Sequence, residues 1–182
     1  MSGRNVELPI DTLTPEQQSI HDVFKGLIGH PARGPFAIWM EIPHIGKPAV
    51  DLFAGLRTRA IVERRLEELM VLIVARHLSA EFAWVTHEAI GLKAGLSRET
   101  IEAVRHRRKP TPMKADEELV YDITTAMCTA HKLDDDLYRR AVETMGRPWL
   151  LELVAGIGFF HMIGMTLNAF EVPTDGGANP FD

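Results

Sequence analysis

The chain of 182 residues is poor in the features that mark several common protein classes. It holds one cysteine, Cys128, which excludes an intramolecular disulfide and indicates a reducing, cytoplasmic environment. Its 20 Lys and Arg against 25 Asp and Glu leave a net charge of −5, which argues against a nucleic-acid-binding surface. No basic segment with an apolar run follows Met1, so we expect no secretory signal.

The sequence also lacks alternating polar and apolar runs between hairpin turns, so it predicts no β-sheet. Helix signals recur instead. Thr14-Pro15-Glu16-Gln17 combines an N-cap, a proline at the first helical position and a capping-box glutamine. Gly95 is typical of the left-handed residue that follows a helix, and Ser97 and Asp134 are further N-caps. These signals predict an all-α, single-domain bundle of about seven to eight helices.

The same signals give the organisation along the chain. We expect an N-terminal helix and loop over residues 1–34, the helical domain over 35–172, and a tail over 173–182 that is loop or an arm onto a neighbouring subunit. The expected helices cover about residues 14–29, 49–57, 61–78, 80–94, 98–106, 115–131, 135–145 and 148–168, with a short turn at 36–41.

The segment Leu153–Phe170 has no formal charge and is just long enough to cross a bilayer. It contains His161, Asn168 and three glycines, however, and it has no basic flanks. We therefore expect a buried core or subunit-interface helix and no membrane span, in a homo-oligomer that associates through such helices.

Two apolar helical segments, Leu66–Leu78 and Glu81–Gly95, carry the polar residues that point to chemistry. Glu68 lies in the first segment and His87 in the second. A carboxylate and an imidazole on adjacent buried helices form a candidate proton-transfer pair. Each also has a structural interpretation, because a buried glutamate requires a partner and a single histidine is often only hydrogen-bonded.

The residues Glu81-Phe82-Ala83-Trp84, with His87 three residues further and Glu68-Leu69 upstream, resemble the carboxymuconolactone decarboxylase-like family, which includes the alkyl hydroperoxidase D type of antioxidant protein. The resemblance covers about residues 35–172 and implies rings of three or six subunits. In the peroxidase branch a Cys-x-x-Cys pair precedes the histidine. By that spacing the thiols fall on Ala80 and Ala83 and the glutamate on Glu68, so the resemblance implies that this chain is not a dithiol peroxidase.

The decarboxylase branch of the family, whose members degrade aromatic compounds, acts on unsaturated lactone acids without a cofactor. The resemblance thus implies a lyase in which His87 is the general acid or base and Glu68 orients it or shares its proton. Isomerisation, hydration and elimination by the same two groups stay open.

An acidic substrate also needs a cation. We assign this role to Arg65, which with Arg64 and Arg76 is nearest in sequence, because a guanidinium binds a carboxylate bidentately. Ion pairs on a helix surface account for these arginines equally well.

Three further residues complete the candidate substrate site. Trp84 is a pocket wall or a core residue, Glu81 is a second carboxylate or the partner of an arginine, and His161 is a second site histidine or a core residue. Whether His44, in the loop before these helices, approaches the pocket stays open.

Metal binding is the next alternative, since His77 and Glu81 are four residues apart and His87 follows. Because no His-Glu-x-x-His sequence is present and a helix break is expected near Ser79, we expect no metal. Two other hypotheses stay open: a non-catalytic helical oligomer or small-ligand binder with the same fold, and a peroxidase that uses Cys128 alone.

Overall fold

The computed structural model describes residue 4, residues 8–174 and residues 179–182. In this part of the chain all regular secondary structure is helical, which confirms the all-α prediction. A 3-10 turn at Ile10–Thr12 precedes nine α-helices. They are α1 (Pro15–Ile28), α2 (Pro35–Trp39), α3 (Pro43–Thr58), α4 (Arg64–Leu78), α5 (Glu81–Ala94), α6 (Arg98–Arg105), α7 (Ala115–Thr129), α8 (Asp135–Met145) and α9 (Arg147–Ala169).

The predicted capping residues lie at the helix ends. Thr14 and Gln17 form the capping box of α1, with the Thr14 N–H donating to Gln17 Oε1 at 2.9 Å. Gly95 follows α5 in the left-handed conformation with φ +100°. The side chains of Ser97 and Asp134 accept backbone N–H groups at the starts of α6 and α8. Local chemistry therefore sets these boundaries.

The region before residue 49 is more helical than expected. Pro35 opens the short helix α2, and α3 begins at Pro43 and continues through Pro48. A proline at the first position costs no hydrogen bond, because that N–H would have no helical acceptor. Pro48 deprives the His44 carbonyl of its helical donor, but both residues are exposed, so water can replace it. Prolines therefore open α2 and α3, and the proline inside α3 removes one hydrogen bond without ending the helix.

The described residues group into two compact units. One extends to Ala60 and includes Thr166–Val172, and the other comprises Ile61–Met165 with Pro173–Asp182. The expected boundaries near residues 34 and 173 stay predictions. Residues 1–3 and 5–7 of the expected N-terminal segment and 175–178 of the expected tail lie outside the described residues.

The first unit has an aromatic core. Phe24 of α1, Phe36 of α2 and Phe53 of α3 contact one another, with Phe36 4.7 Å from Phe24 and 4.9 Å from Phe53 between ring centroids. Such tilted ring pairs add to the apolar area that the helices bury.

The second unit is built around α4, which packs against α5, α6 and α7. Residues 65–75 of this helix are all buried, as expected of a helix that is apolar on nearly every side. Glu152 of α9 fixes the backbone that leads into α4, because it accepts the N–H groups of Ile61 and Val62 at 2.8 and 2.7 Å. Polar residues in the middle of α4 are therefore buried by neighbours on several sides.

Helix α9, with 23 residues, is the one described helix long and apolar enough to cross a membrane by length and composition. Half of its most apolar window is buried inside the protein. Leu153 and Ile157 belong to that buried part. Core helices of soluble proteins have the same character, which agrees with the expectation of a core or interface helix.

Candidate functional site

The structure brings Glu68 and His87 into direct contact. His87 Nδ1 lies 2.7 Å from Glu68 Oε2, across the packed pair of α4 and α5. The Glu68 side chain is 0% exposed, whereas that of His87 keeps 14% of its surface accessible. The carboxylate is thus fully enclosed, and the imidazole reaches the edge of the packed region.

Arg64 lies one helical turn before Glu68 and forms an ion pair with its Oε1 atom. The same guanidinium donates to Glu67 Oε2 at 2.6 Å. Both glutamates are buried, and a buried carboxylate is stable only when a cation or donors compensate its charge. Arg64 therefore supplies the charge that allows two adjacent carboxylates inside the helix pair.

Glu67 is a residue that the sequence did not indicate as part of this cluster. Burial raises its pKa above that of an ordinary glutamate; Arg64 opposes the rise and the Glu68 carboxylate adds to it. The four-residue spacing of Arg64 and Glu68 was the available signal, since it places both side chains on one helix face together with Glu67.

The orientation of the His87 ring follows from its two contacts. With Glu68 charged beside Arg64, Nδ1 is the nitrogen that donates to the carboxylate, which leaves Nε2 for proton exchange. The Phe160 ring of α9 packs against the imidazole at 5.4 Å between centroids and 90° between planes. The Glu68 carboxylate and the Phe160 ring together hold the imidazole in one orientation.

Trp84 lies one turn before Glu88 on α5 and is fully buried. Its Nε1 donates to Glu88 Oε2 at 2.9 Å, and Glu88 also accepts from Arg105 Nη2 at 2.5 Å. The Arg105 guanidinium lies 5.0 Å from the indole centroid, and the Phe181 ring lies 5.4 Å from it. The contacts of Trp84 are those of a core residue that joins α5, α6 and the C-terminal residues.

Arg65 points away from the Glu68 and His87 pair. Its guanidinium donates to Asp116 Oδ2 at 2.6 Å and to Glu117 Oε1, both at the start of α7. Its contact with a substrate stays a prediction; the cation that reaches Glu68 is Arg64.

Glu81 and His161 have surroundings of their own. Glu81 is the exposed first residue of α5. His161 Nδ1 lies 2.8 Å from the Ile157 carbonyl, and its ring faces His77 at 6.0 Å between centroids. The α9 residue that contacts His87 is Phe160, the neighbour of His161 in sequence. Their roles in substrate binding stay predictions.

The positions expected for peroxidase thiols are both buried alanines, Ala80 and Ala83. The single cysteine, Cys128, is buried in α7, and burial raises the pKa of its thiol to about 11. Because the thiolate is the reactive form, this raised pKa favours the protonated, less reactive form of the side chain at neutral pH.

Among the described residues, no group of three or more His, Cys, Asp or Glu side chains is arranged to hold a metal ion.

Comparison of the chain with models of known protein families and with curated proteins finds no match. The resemblance to the carboxymuconolactone decarboxylase-like family therefore stays a prediction that rests on its motif residues.

Proposed function

We propose that this protein is a cofactor-free enzyme that transfers protons on a small carboxylated or lactone-type substrate, with His87 as the general acid or base. The observation that supports this most is the 2.7 Å hydrogen bond between His87 Nδ1 and the fully buried Glu68. A histidine held by a buried carboxylate has a fixed tautomer and a stabilised imidazolium.

In a decarboxylation next to a conjugated carbonyl, the bond to the carboxylate breaks and its electron pair passes into a dienolate. His87 as imidazolium then gives its Nε2 proton to carbon, and the neutral imidazole takes a proton from water to complete the cycle. Arg64 pairs with the Glu68 carboxylate, and this carboxylate lies where it can stabilise the imidazolium that forms on His87. The same proton transfers serve an isomerisation or an elimination.

The family resemblance supports the lyase class and suggests a trimer or hexamer. The single cysteine supports a cytoplasmic location and argues against a dithiol peroxidase. The buried Cys128 thiol, with its raised pKa, argues against a peroxidase that uses one thiol. These are parts of the same proposal.

Steady-state turnover of carboxymuconolactone by His87→Ala and Glu68→Gln tests the assignment. We expect His87→Ala to lower kcat by about 10²-fold to 10⁴-fold, since the acid or base is lost. Glu68→Gln removes the charge that fixes the tautomer, and we expect at least about a tenfold loss together with a shifted pH profile.

His106→Ala is the matched control, because this histidine is exposed and lies at the end of α6. We expect its kcat to equal that of the unaltered protein. The proposal is wrong if the protein turns over the lactone and neither His87→Ala nor Glu68→Gln lowers kcat tenfold. It is equally wrong, for this substrate class, if the unaltered protein neither consumes the lactone nor exchanges its carbon-bound protons with deuterium oxide.

A further inference from the structure

A second feature of the larger unit lies where α4, α6 and α7 meet. A cleft of about 200 Å³ opens there, and its lining contains neither Glu68 nor His87. Apolar side chains from all three helices form its inner part, namely Ile73, Val104 and the protonated Cys128. A cleft of this kind removes an apolar body from water while its rim stays open.

The rim of the cleft is cationic. Arg76 and Arg107 both line it, and each donates to the hydroxyl oxygen of Ser79 at 3.3 Å. Two guanidinium groups therefore share one neutral oxygen, although like charges repel each other. Among the described residues neither has a carboxylate partner, whereas six other arginines do. These six are Arg4, Arg64, Arg65, Arg105, Arg139 and Arg140.

Arg76 is held in place for binding. Its Nε donates to the Arg105 carbonyl at 2.5 Å, and the Phe181 ring covers its guanidinium at 4.4 Å from the ring centroid. With the contact to Ser79, these interactions occupy Nε, Nη1 and one face of the guanidinium, while Nη2 has no partner among the described residues. A guanidinium that is already fixed loses little conformational entropy on binding.

His77 also lines the rim. Burial lowers its pKa, and the nearby charges of His161 and Arg107 lower it further, so its neutral form is favoured. The guanidinium groups of Arg76 and Arg107 make the site locally positive in a protein whose net charge is −5. A positive potential over an apolar cleft favours an anion with an apolar part.

We propose that this cleft binds a small organic carboxylate, with its carboxylate group between Arg76 and Arg107 and its apolar body against Ile73 and Val104. A carboxylate has two oxygens, so one can accept from Arg76 Nη2 and the other from Arg107, and the apolar lining would leave part of a fully hydrated inorganic anion without partners. This site is separate from the His87 and Glu68 pair, so its existence does not depend on the proposed function.

Titration calorimetry of the full chain with benzoate tests the ligand class. Benzyl alcohol has the same ring without the charge, and inorganic phosphate has charge without an apolar body. We expect saturable 1:1 binding of benzoate that is at least about tenfold tighter than that of either comparison ligand. Absence of benzoate binding, or equal binding of benzyl alcohol or phosphate, would overturn the proposal.

Two arginines that are adjacent in sequence, Arg107 and Arg108, offer a matched pair of variants. Arg107→Gln removes a cation from the cleft, and Arg108→Gln removes the neighbouring exposed cation, which does not line it. We expect Arg107→Gln to weaken benzoate binding at least about tenfold and Arg108→Gln to leave it within twofold. Equal effects of the two substitutions would mean non-specific attraction and would contradict a built site. Unchanged melting curves establish that both variants are folded.

Discussion

Arg64 and Arg65 are neighbours in sequence and contact residues on different sides of α4. Successive residues of a helix are rotated by about 100°, so Arg64 reaches Glu67 and Glu68 while Arg65 reaches the start of α7. The sequence placed a cation, a carboxylate and an imidazole in this part of the bundle. Spacing alone left both arginines as candidates, since Arg64 lies four and Arg65 three residues before Glu68, and the rotation of α4 about its axis depends on what packs against it.

The residue-scale prediction concerns the proton affinity of His77. Burial, His161 and Arg107 lower its pKa, so we expect a midpoint below the ordinary 6.5. Since the unfolded chain then binds the proton more readily than the folded one, His77 makes the fold less stable as the pH falls through about 6.5. This loss levels off below the folded-state midpoint.

NMR titration of the imidazole signals measures this midpoint directly. Arg107→Gln removes one of the charges that oppose protonation, so we expect the His77 midpoint to rise toward 6.5. Arg108→Gln serves as the control and should leave it in place. A midpoint at or above 6.5 in the unaltered protein would contradict the prediction.

At the scale of helices, local signals and tertiary packing contribute separately. The capping box at Thr14 and the glycine at residue 95 were readable because each satisfies backbone groups within one turn. The sequence did not predict that α3 begins at Pro43, because a proline inside a helix usually marks its end. The helix continues through Pro48 because packing of its other residues offsets the lost hydrogen bond. Gly46 shows that packing, since a Cβ there would lie 2.5 Å from the Trp39 carbonyl oxygen.

The element-scale prediction uses two glycines of α3. Gly46→Ala pushes a methyl group into the backbone of Trp39, which cannot move aside cheaply, and we expect a loss of about 1–3 kcal/mol in the free energy of unfolding. Gly55 lies in the same helix, and a Cβ there meets nothing within 4 Å. Gly55→Ala should stabilise the protein by about 0.5–1 kcal/mol through its better helix propensity.

Urea denaturation of the two variants beside the unaltered protein measures both values. If Gly46→Ala is as stable as Gly55→Ala, then α2 and α3 do not approach each other as closely as the structure indicates.

At the scale of the whole molecule, α9 has an exposed apolar face as well as a buried one. Leu151 and Met165 are 67% and 63% exposed, and the exposed residues Ala155, Gly158 and Met162 lie between them on the same face. Steps of three and four residues are typical of a helix seam that packs against another helix. The sequence predicted an interface helix here from its lack of charge, and this face gives that hypothesis a definite position.

The whole-molecule prediction is that copies of the chain associate through this face as a trimer or hexamer. Leu151→Glu with Met165→Glu would place charges in the interface, and we expect sedimentation velocity to show monomers. Tyr138→Glu, at an exposed aromatic residue of α8 that is 46% accessible, should leave the oligomer intact. A monomeric unaltered protein would contradict the prediction.

The Phe181 ring contacts both the Arg76 guanidinium and the Trp84 indole, which has a practical consequence for following the C-terminal residues in solution. The buried Trp84 indole is an optical probe of this contact, because its emission changes when an adjacent ring or guanidinium moves away.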